Sequence, residues 1–150
     1  AVDVLKEELF PLADLLTPNI PETEVLTGRK IRNTDDMIEA AKQVSEQYHC
    51  AVLCKGGHKL NDANDLLYVN GTYQWFEGKR IDNPNTHGTG CTLSSAIATF
   101  LALGYDMPQA VEHAKAYVTK GIHAGKDVHI GEGHGPLNHF YAPVPMKTMK

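Results

Sequence analysis

The chain has 150 residues, of which 42% are hydrophobic and 21% are charged, with a net charge of −4 and a pI near 6.0. This composition predicts one globular domain or a large part of a bigger one. It excludes a basic nucleic-acid-binding surface, and the apolar runs are too short to span a bilayer. The three cysteines (Cys50, Cys54 and Cys91) form no C-x-x-C pair, which indicates a reducing cytoplasm.

The first segment, Ala1–Phe10 (AVDVLKEELF), predicts an amphipathic helix with Val4, Leu5, Leu9 and Phe10 on one face. Residues 13–17 (ADLLT) predict a short buried strand that Pro18 ends. A helix that leads into a buried strand is typical of the middle of an α/β fold. We therefore expect further strands upstream of this segment.

The later elements follow from capping signals, turn signals and apolar runs. They are a helix from Pro21 to Gly28, a helix from the Asn33–Asp36 cap to Tyr48, a central parallel strand at Ala51–Lys55, a hairpin of Leu66–Val69 and Thr72–Phe76 around Asn70-Gly71, a helix at Thr92–Leu103, a helix from Asp106 to about Gly125, and an irregular tail at Gly131–Pro145. The alternation of strands and helices predicts an α/β layer structure with a mostly parallel sheet.

The segment NTHGTGCT (85–92) places two glycines and a cysteine at the start of a helix. Gly88 and Gly90 let successive N–H groups turn inward as an anion-binding nest, and the helix start adds its own N–H groups. Cys91 falls in the first turn, where the helix dipole favours the thiolate form. An activated thiol there is suited to accepting a proton or attacking an electrophile. The alternative is a glycine turn whose cysteine only packs.

Two further segments follow predicted strands. Lys55-Gly56-Gly57-His58 lies at the carboxyl end of a strand, where open α/β sheets bind ligands, and its lysine is able to neutralise phosphates. Asn19 and Glu22, in TPNIPE, supply oxygen atoms suited to hydrated Mg²⁺. The alternatives are a solvated lysine in a turn and, for Asn19 and Glu22, caps of the short helix.

Taken in order, four segments resemble the hydroxymethylpyrimidine/phosphomethylpyrimidine kinases of the ribokinase-like superfamily. They are TPNIPETEVLTG, CKGGH, NTHGTGCTLSSAIATFLALG and GHGPLNHF. The resemblance extends from Leu9 to about Phe140, and the related pyridoxal kinases share the same features less closely. It implies a three-layer α/β/α sandwich and transfer of the ATP γ-phosphoryl group to a primary hydroxyl in thiamin diphosphate biosynthesis.

The resemblance also implies the roles of individual residues. Gly88, Thr89 and Gly90 match the anion hole, and Cys91 matches the catalytic base. Lys55, Gly57 and Thr86 are implied in ATP binding, and Asn19 and Glu22 match the N-x-x-E pair that organises Mg²⁺. The implied partners are ATP, a pyrimidine substrate and, in the full-length enzyme, a second copy in a homodimer.

Members of this family are considerably longer, and their N-terminal half contacts the pyrimidine. We therefore expect residues 1–150 to be the C-terminal, nucleotide-binding part of one kinase domain, inactive without the other half. Three alternatives stay open: a pyridoxal kinase, a non-catalytic nucleotide-binding module that pairs with another chain, and a covalent thiol enzyme using Cys91.

Overall fold

The computed structural model describes residues 1–56, 64–78 and 85–145, which divide into two units, Ala1–Arg80 and Ile81–Lys150. The first unit contains a four-stranded sheet whose spatial order follows the sequence. The strands are β1 (Leu15–Leu16), β2 (Ala51–Cys54), β3 (Asp65–Val69) and β4 (Thr72–Phe76).

Strand β2 is the centre of the first unit, and all four of its residues are buried. It pairs parallel with β1, as the sequence predicts, and antiparallel with β3, which in turn pairs antiparallel with β4. The described sheet is therefore not mostly parallel as predicted, because a hairpin supplies two of its four strands. The hairpin of β3 and β4 is confirmed, because Asn70 and Gly71 take φ values of 51° and 75°. Positive φ at both turn residues is the geometry that matches the twist of two hairpin strands.

The N-terminal segment is helical from Val2 to Leu12, as α1 (Val2–Val4), a π-helical turn (Leu5–Leu9) and a 3₁₀ turn (Phe10–Leu12). Phe10 packs edge-to-face on Tyr48, with ring centroids 5.1 Å apart. The rest of the expected apolar face is exposed, with Val4 at 60% and Leu9 at 55%.

The strand expected at residues 13–17 is shorter and less buried than predicted. Only Leu15 and Leu16 pair, and both are half-buried. The physical reason is that, among the described residues, β1 has β2 as its single neighbour, so its outer edge is open.

The two helices predicted in this unit are confirmed as α2 (Ile20–Thr27) and α3 (Thr34–Tyr48). Gly28 ends α2 in the left-handed conformation, with φ of 70°. The side-chain oxygen of Asn33 caps α3 by accepting the Asp36 N–H at 2.8 Å. The apolar side of α3 is fully buried and consists of Met37, Ala40, Ala41 and Val44.

The second unit consists of α4 (Thr89–Ala102), α5 (Met107–Ala124), which packs against it, and the irregular tail. A reciprocal capping box between Asp106 and Gln109 starts α5. The tail lies along α5, where the Asn138 N–H donates to the Gly121 carbonyl at 3.1 Å and Leu137 is buried. Within the described ranges, no helix has the length and apolar character needed to cross a membrane.

Candidate functional site

Helix α4 begins three residues earlier than the sequence predicts, and this places the glycine motif inside its first turn. Gly88 is the N-cap residue, in the left-handed conformation with φ of 81°. A side chain is strained at that φ, so glycine is the residue suited to this entry. No side chain of the described residues caps the helix start.

The hydrogen bonds around Gly88 leave two N–H donors in the first turn of α4, those of Gly90 and Cys91, for a ligand. The Thr89 N–H and hydroxyl both donate to the Thr86 carbonyl, at 3.3 and 2.7 Å, and the Thr92 N–H donates to the Gly88 carbonyl at 2.8 Å. The N–H groups of Gly90 and Cys91 have no acceptor among the described residues. Free N–H groups at the positive end of a helix dipole attract anions. We call residues 88–91 the anion cradle.

Cys91 lies in this first turn with its side chain exposed, whereas Cys50 and Cys54 are buried. Burial raises the pKa of the Cys54 thiol to about 11, which makes it unreactive near neutral pH. Of the three thiols, the one at the anion cradle is therefore the accessible one. It opens onto a cleft of about 490 Å³, whose lining is formed by Cys91, Thr92, Ser95, Ala96, Thr99, Phe100, Tyr117 and His139.

The tail contributes to this cleft, which sequence reasoning did not foresee. His139 Nε2 lies 3.0 Å from the Thr92 hydroxyl, next to Cys91, and the Tyr117 hydroxyl donates to the His139 carbonyl at 3.1 Å. Tyr117 is half-buried. The segment GHGPLNHF was the available signal, although its letters alone do not say what it contacts.

The remaining candidates lie in the first unit, where β1 and β2 end at the same edge. The Lys55 N–H donates to the Pro18 carbonyl at 2.8 Å, and Asn19 and Lys55 form a parallel bridge. Parallel pairing thus brings Asn19 next to Lys55, as expected for segments that follow neighbouring strands. The half-buried Gly56 must lack a side chain, because a methyl group there would collide with the Asn64 carbonyl.

Asn19 and Glu22 form a reciprocal capping box at the start of α2. Asn19 Oδ1 accepts the Glu22 N–H, and Glu22 Oε2 accepts the Asn19 N–H, both at 2.8 Å. The capping alternative is therefore realised in the structure. Glu22 is also exposed, so its carboxylate is accessible to the waters of a hydrated metal ion.

The donor set fits Mg²⁺ in one respect, since Mg²⁺ takes oxygen ligands and is commonly held by one or two carboxylates, here that of Glu22. In the described part of the chain, no three His, Cys, Asp or Glu side chains converge on one point. An ion at Asn19 and Glu22 would complete its shell with water and phosphate oxygens, as Mg²⁺ commonly does.

Two predicted nucleotide-binding residues gain no contact that supports their role. Gly57 lies outside the described residues. Thr86 is exposed, and its carbonyl holds Thr89, which makes it part of the support of the anion cradle.

Comparison with known proteins places these features in one family. Residues 1–138 match the family described as phosphomethylpyrimidine kinase. The chain is 49% identical over 143 residues to the thiamine biosynthesis bifunctional protein ThiED of Geobacter sulfurreducens, covering 95% of this chain and 29% of that protein. It is 41% identical over 145 residues to the hydroxymethylpyrimidine/phosphomethylpyrimidine kinase of Haemophilus influenzae, covering 93% and 53%.

Among solved structures, the ADP complex of Bacillus subtilis pyridoxal kinase is similar with a TM-score of 0.80 and 38% identity, covering 91% of this chain and 52% of that one. This similarity confirms the expected ribokinase-like α/β fold class. The chain spans about half the length of the Haemophilus influenzae kinase and less than a third of the Geobacter sulfurreducens protein. With its family match extending over nearly all of its length, the chain belongs to the phosphomethylpyrimidine kinase family.

Proposed function

We propose that this chain is the C-terminal, nucleotide-binding part of a kinase domain that phosphorylates hydroxymethylpyrimidine, its monophosphate, or both, with ATP as the donor. The observation that carries the proposal is the anion cradle, with its two N–H groups at Gly90 and Cys91 and an accessible thiol beside them. Its relatives of 41% and 49% identity are named for thiamine biosynthesis or for this kinase activity.

The cradle suits phosphoryl transfer because this reaction requires mainly positioning and neutralisation of charge. The substrate oxygen forms a bond to the γ-phosphorus as the bond from phosphorus to the bridging oxygen of ADP breaks. The Gly90 and Cys91 N–H groups stabilise the oxygens of the transferring group, and Cys91 Sγ is the proposed acceptor of the hydroxyl proton. Mg²⁺, when bound, neutralises phosphate charge.

Lys55, Asn19 and Glu22 complete the proposal from the first unit. Lys55 would contact the ATP phosphates, and Asn19 and Glu22 would hold the water shell of Mg²⁺. Their support is their common position at the carboxyl edge of β1 and β2. The homodimer of the full-length enzyme and a cytoplasmic location belong to the proposal as well; the location rests on the cysteine usage.

Pyridoxal phosphorylation is the second candidate, favoured by the similarity to a pyridoxal kinase at a TM-score of 0.80. The two acceptors share a hydroxymethyl group on a nitrogen heterocycle, so the cradle serves either. We rank the pyrimidine first because both sequence relatives compared above carry names from the thiamine pathway or its kinase.

The test measures binding and turnover separately. The chain is titrated with the non-hydrolysable analogue AMP-PCP and Mg²⁺, and Lys55→Met is expected to weaken binding by tenfold or more, in keeping with the loss of a charged contact. Turnover is followed by mass spectrometry with hydroxymethylpyrimidine or pyridoxal, using the chain alone and fused to the N-terminal part of the Haemophilus influenzae relative.

Product from the fusion, with none from the chain alone, supports the kinase-part proposal. Turnover by the chain alone contradicts the assignment to half a domain, and a preference for pyridoxal favours the second candidate. Nucleotide binding without turnover in either form indicates a non-catalytic module. Absence of nucleotide binding overturns the proposed function.

A further inference from the structure

Asn85 is one of the few polar side chains buried in the described part of the chain, with 4% of its surface exposed. Its Nδ2 atom donates to the carbonyl oxygens of Gly125 and Val128, at 2.7 Å each. Both N–H bonds of the amide are therefore used. The Gly125 carbonyl belongs to the residue that ends α5, so one side chain ties residue 85 to the carboxyl end of that helix.

The tail closes on the other side of the same amide. A methyl group on Gly135 would collide with Asn85 Oδ1, so any larger residue at 135 would require the Asn85 amide to move from its two hydrogen bonds. The His87 N–H donates to the Gly135 carbonyl at 3.2 Å, and His87 forms a parallel bridge with Pro136. Residues 85–87 are thus held between the end of α5 and the tail.

Residues 85–87, held by these hydrogen bonds, precede the anion cradle directly in the chain. The carbonyl of Thr86, the next residue after Asn85, accepts both hydrogen bonds of Thr89, which is the first residue of α4. On the far side of the cradle, His139 of the same tail contacts the Thr92 hydroxyl. Asn85 lies close in sequence to Thr89, so a displacement of Asn85 would be passed through Thr86 to the turn that carries the Gly90 and Cys91 N–H groups.

We propose that Asn85 is a positioning residue that, through Thr86, holds the anion cradle in the conformation that receives a phosphoryl group. The identity of the ligand rests on the proposed function, whereas the mechanical role of Asn85 does not. Donors that are fixed before the ligand arrives need no reorganisation during reaction, which is why the support of such a cradle affects binding and rate.

The sharpest variant is Asn85→Asp, because it keeps the size of the side chain and removes both donors. Asn138→Asp is the matched control, since Asn138 Oδ1 accepts the Phe140 N–H and the aspartate keeps an acceptor. The first readout is amide hydrogen exchange without ligand, at Thr92, whose N–H bonds to Gly88, and at Ile97 in the middle of α4. The second is the affinity for AMP-PCP and Mg²⁺.

Asn85→Asp loses two hydrogen bonds and turns a carboxylate toward two carbonyl oxygens. We therefore expect it to speed exchange at Thr92 at least about tenfold and to weaken AMP-PCP binding at least about tenfold. Exchange at Ile97 should stay within about twofold of the wild type. An amide in the middle of α4 exchanges only when the whole unit opens, so it does not sense a change confined to the first turn. Asn138→Asp should change neither readout.

Two results would overturn the proposal. If exchange in Asn85→Asp is accelerated equally at Thr92 and Ile97, Asn85 only stabilises the whole unit. If exchange at Thr92 equals that of the wild type, Asn85 does not position the anion cradle. If Asn85→Asp does not fold, Asn85→Ser, which keeps one donor, is judged by the same comparison. A wild-type chain without AMP-PCP affinity contradicts the proposed function, and the exchange comparison still decides the role of Asn85.

Discussion

Asn19 and Glu22 bind each other's backbone N–H groups at 2.8 Å, which makes one pair of side chains both a helix cap and the candidate metal site. The two roles make different demands on Glu22. A cap needs an acceptor oxygen at this position, which glutamine also provides, whereas Mg²⁺ needs the negative charge. Substitutions at the two positions therefore separate the roles.

We predict that Glu22→Gln changes the free energy of unfolding by less than about 0.5 kcal/mol, since the capping box survives. The same variant should weaken AMP-PCP binding in the presence of Mg²⁺ and leave binding without Mg²⁺ unchanged. Asn19→Ala, which removes the cap, should cost about 1 kcal/mol of stability. Denaturant melts and calorimetric titrations with and without Mg²⁺ check these values. An unchanged Mg²⁺ dependence in Glu22→Gln would leave the pair as a cap alone.

The left-handed conformation of Gly88 gives a second prediction. Gly88→Ala places a side chain at φ of 81°, where an L-residue costs about 1–2 kcal/mol, although no atom obstructs the new methyl group. We expect lower stability and weaker AMP-PCP binding, because relief of the strain turns the first N–H groups away from the ligand.

Gly133→Ala is the control for this strain. Gly133 has open space around it and lacks a positive φ, so alanine there should be neutral in both stability and binding. If Gly88→Ala lowers stability and leaves AMP-PCP binding intact, the anion cradle does not depend on the conformation of its first residue.

Local signals predicted most elements of the fold. The Asn33 cap, the Gly28 terminator and the Asn70-Gly71 turn act within four residues, so the sequence around them contains their whole cause. The start of α4 was predicted too late, at Thr92 instead of Thr89. The helix begins at Thr89 because Gly88 takes the left-handed conformation and Thr89 makes two hydrogen bonds to the Thr86 carbonyl. Residue type alone does not specify either feature.

The support of the candidate site could not be predicted in the same way. Asn85 bonds to carbonyls 40 and 43 residues away, and backbone carbonyls leave no trace in the residue letters. The short pairing of β1 has a similar origin, since apolar residues predict burial but not how many neighbouring strands are present. The glycine motif and Cys91 were accessible to sequence reasoning because the chemistry of their residue types is distinctive.

The proposed base role of Cys91 predicts a difference between two acceptors. A hydroxyl loses a proton as it attacks phosphorus, whereas the monophosphate has a second pKa near 6 and presents an oxygen that is already ionised at neutral pH. Cys91→Ala in the active fusion should therefore slow phosphorylation of hydroxymethylpyrimidine about 100-fold or more, as for loss of a general base. Phosphorylation of the monophosphate should fall much less.

The comparison contains its own control, because both acceptors use the same enzyme, nucleotide and cradle. The measured quantity is kcat for each acceptor, together with the affinity for AMP-PCP, which the variant should leave nearly intact. If kcat falls equally for the two acceptors, Cys91 supports the conformation of the anion cradle and does not accept the proton.

Cys54 predicts how stability depends on pH. Its side chain is fully buried in the central strand, and desolvation raises its pKa from 9.0 to about 11. The unfolded thiol ionises near pH 9.0 and the folded thiol near 11, so its stabilising effect is complete below pH 9 and is lost as the pH rises to 11. The difference between the two pKa values corresponds to about 3 kcal/mol in the free energy of unfolding, present below pH 9 and absent above pH 11.

Denaturant melts between pH 8 and 11 test this dependence, with Cys54→Ala as the variant and Leu53→Ala as the control. Cys54→Ala should flatten the decline in stability with pH, because its only titrating change is the loss of that thiol. Leu53→Ala opens a cavity at the next position of the same strand, where the side chain is also fully buried, so it should lower stability and keep the wild-type slope. Since the raised pKa values of Cys50 and Tyr48 contribute to all three curves, only the difference between slopes measures Cys54. If the curves for wild type and Cys54→Ala are parallel, burial in β2 does not raise the pKa of the Cys54 thiol, and the prediction is wrong.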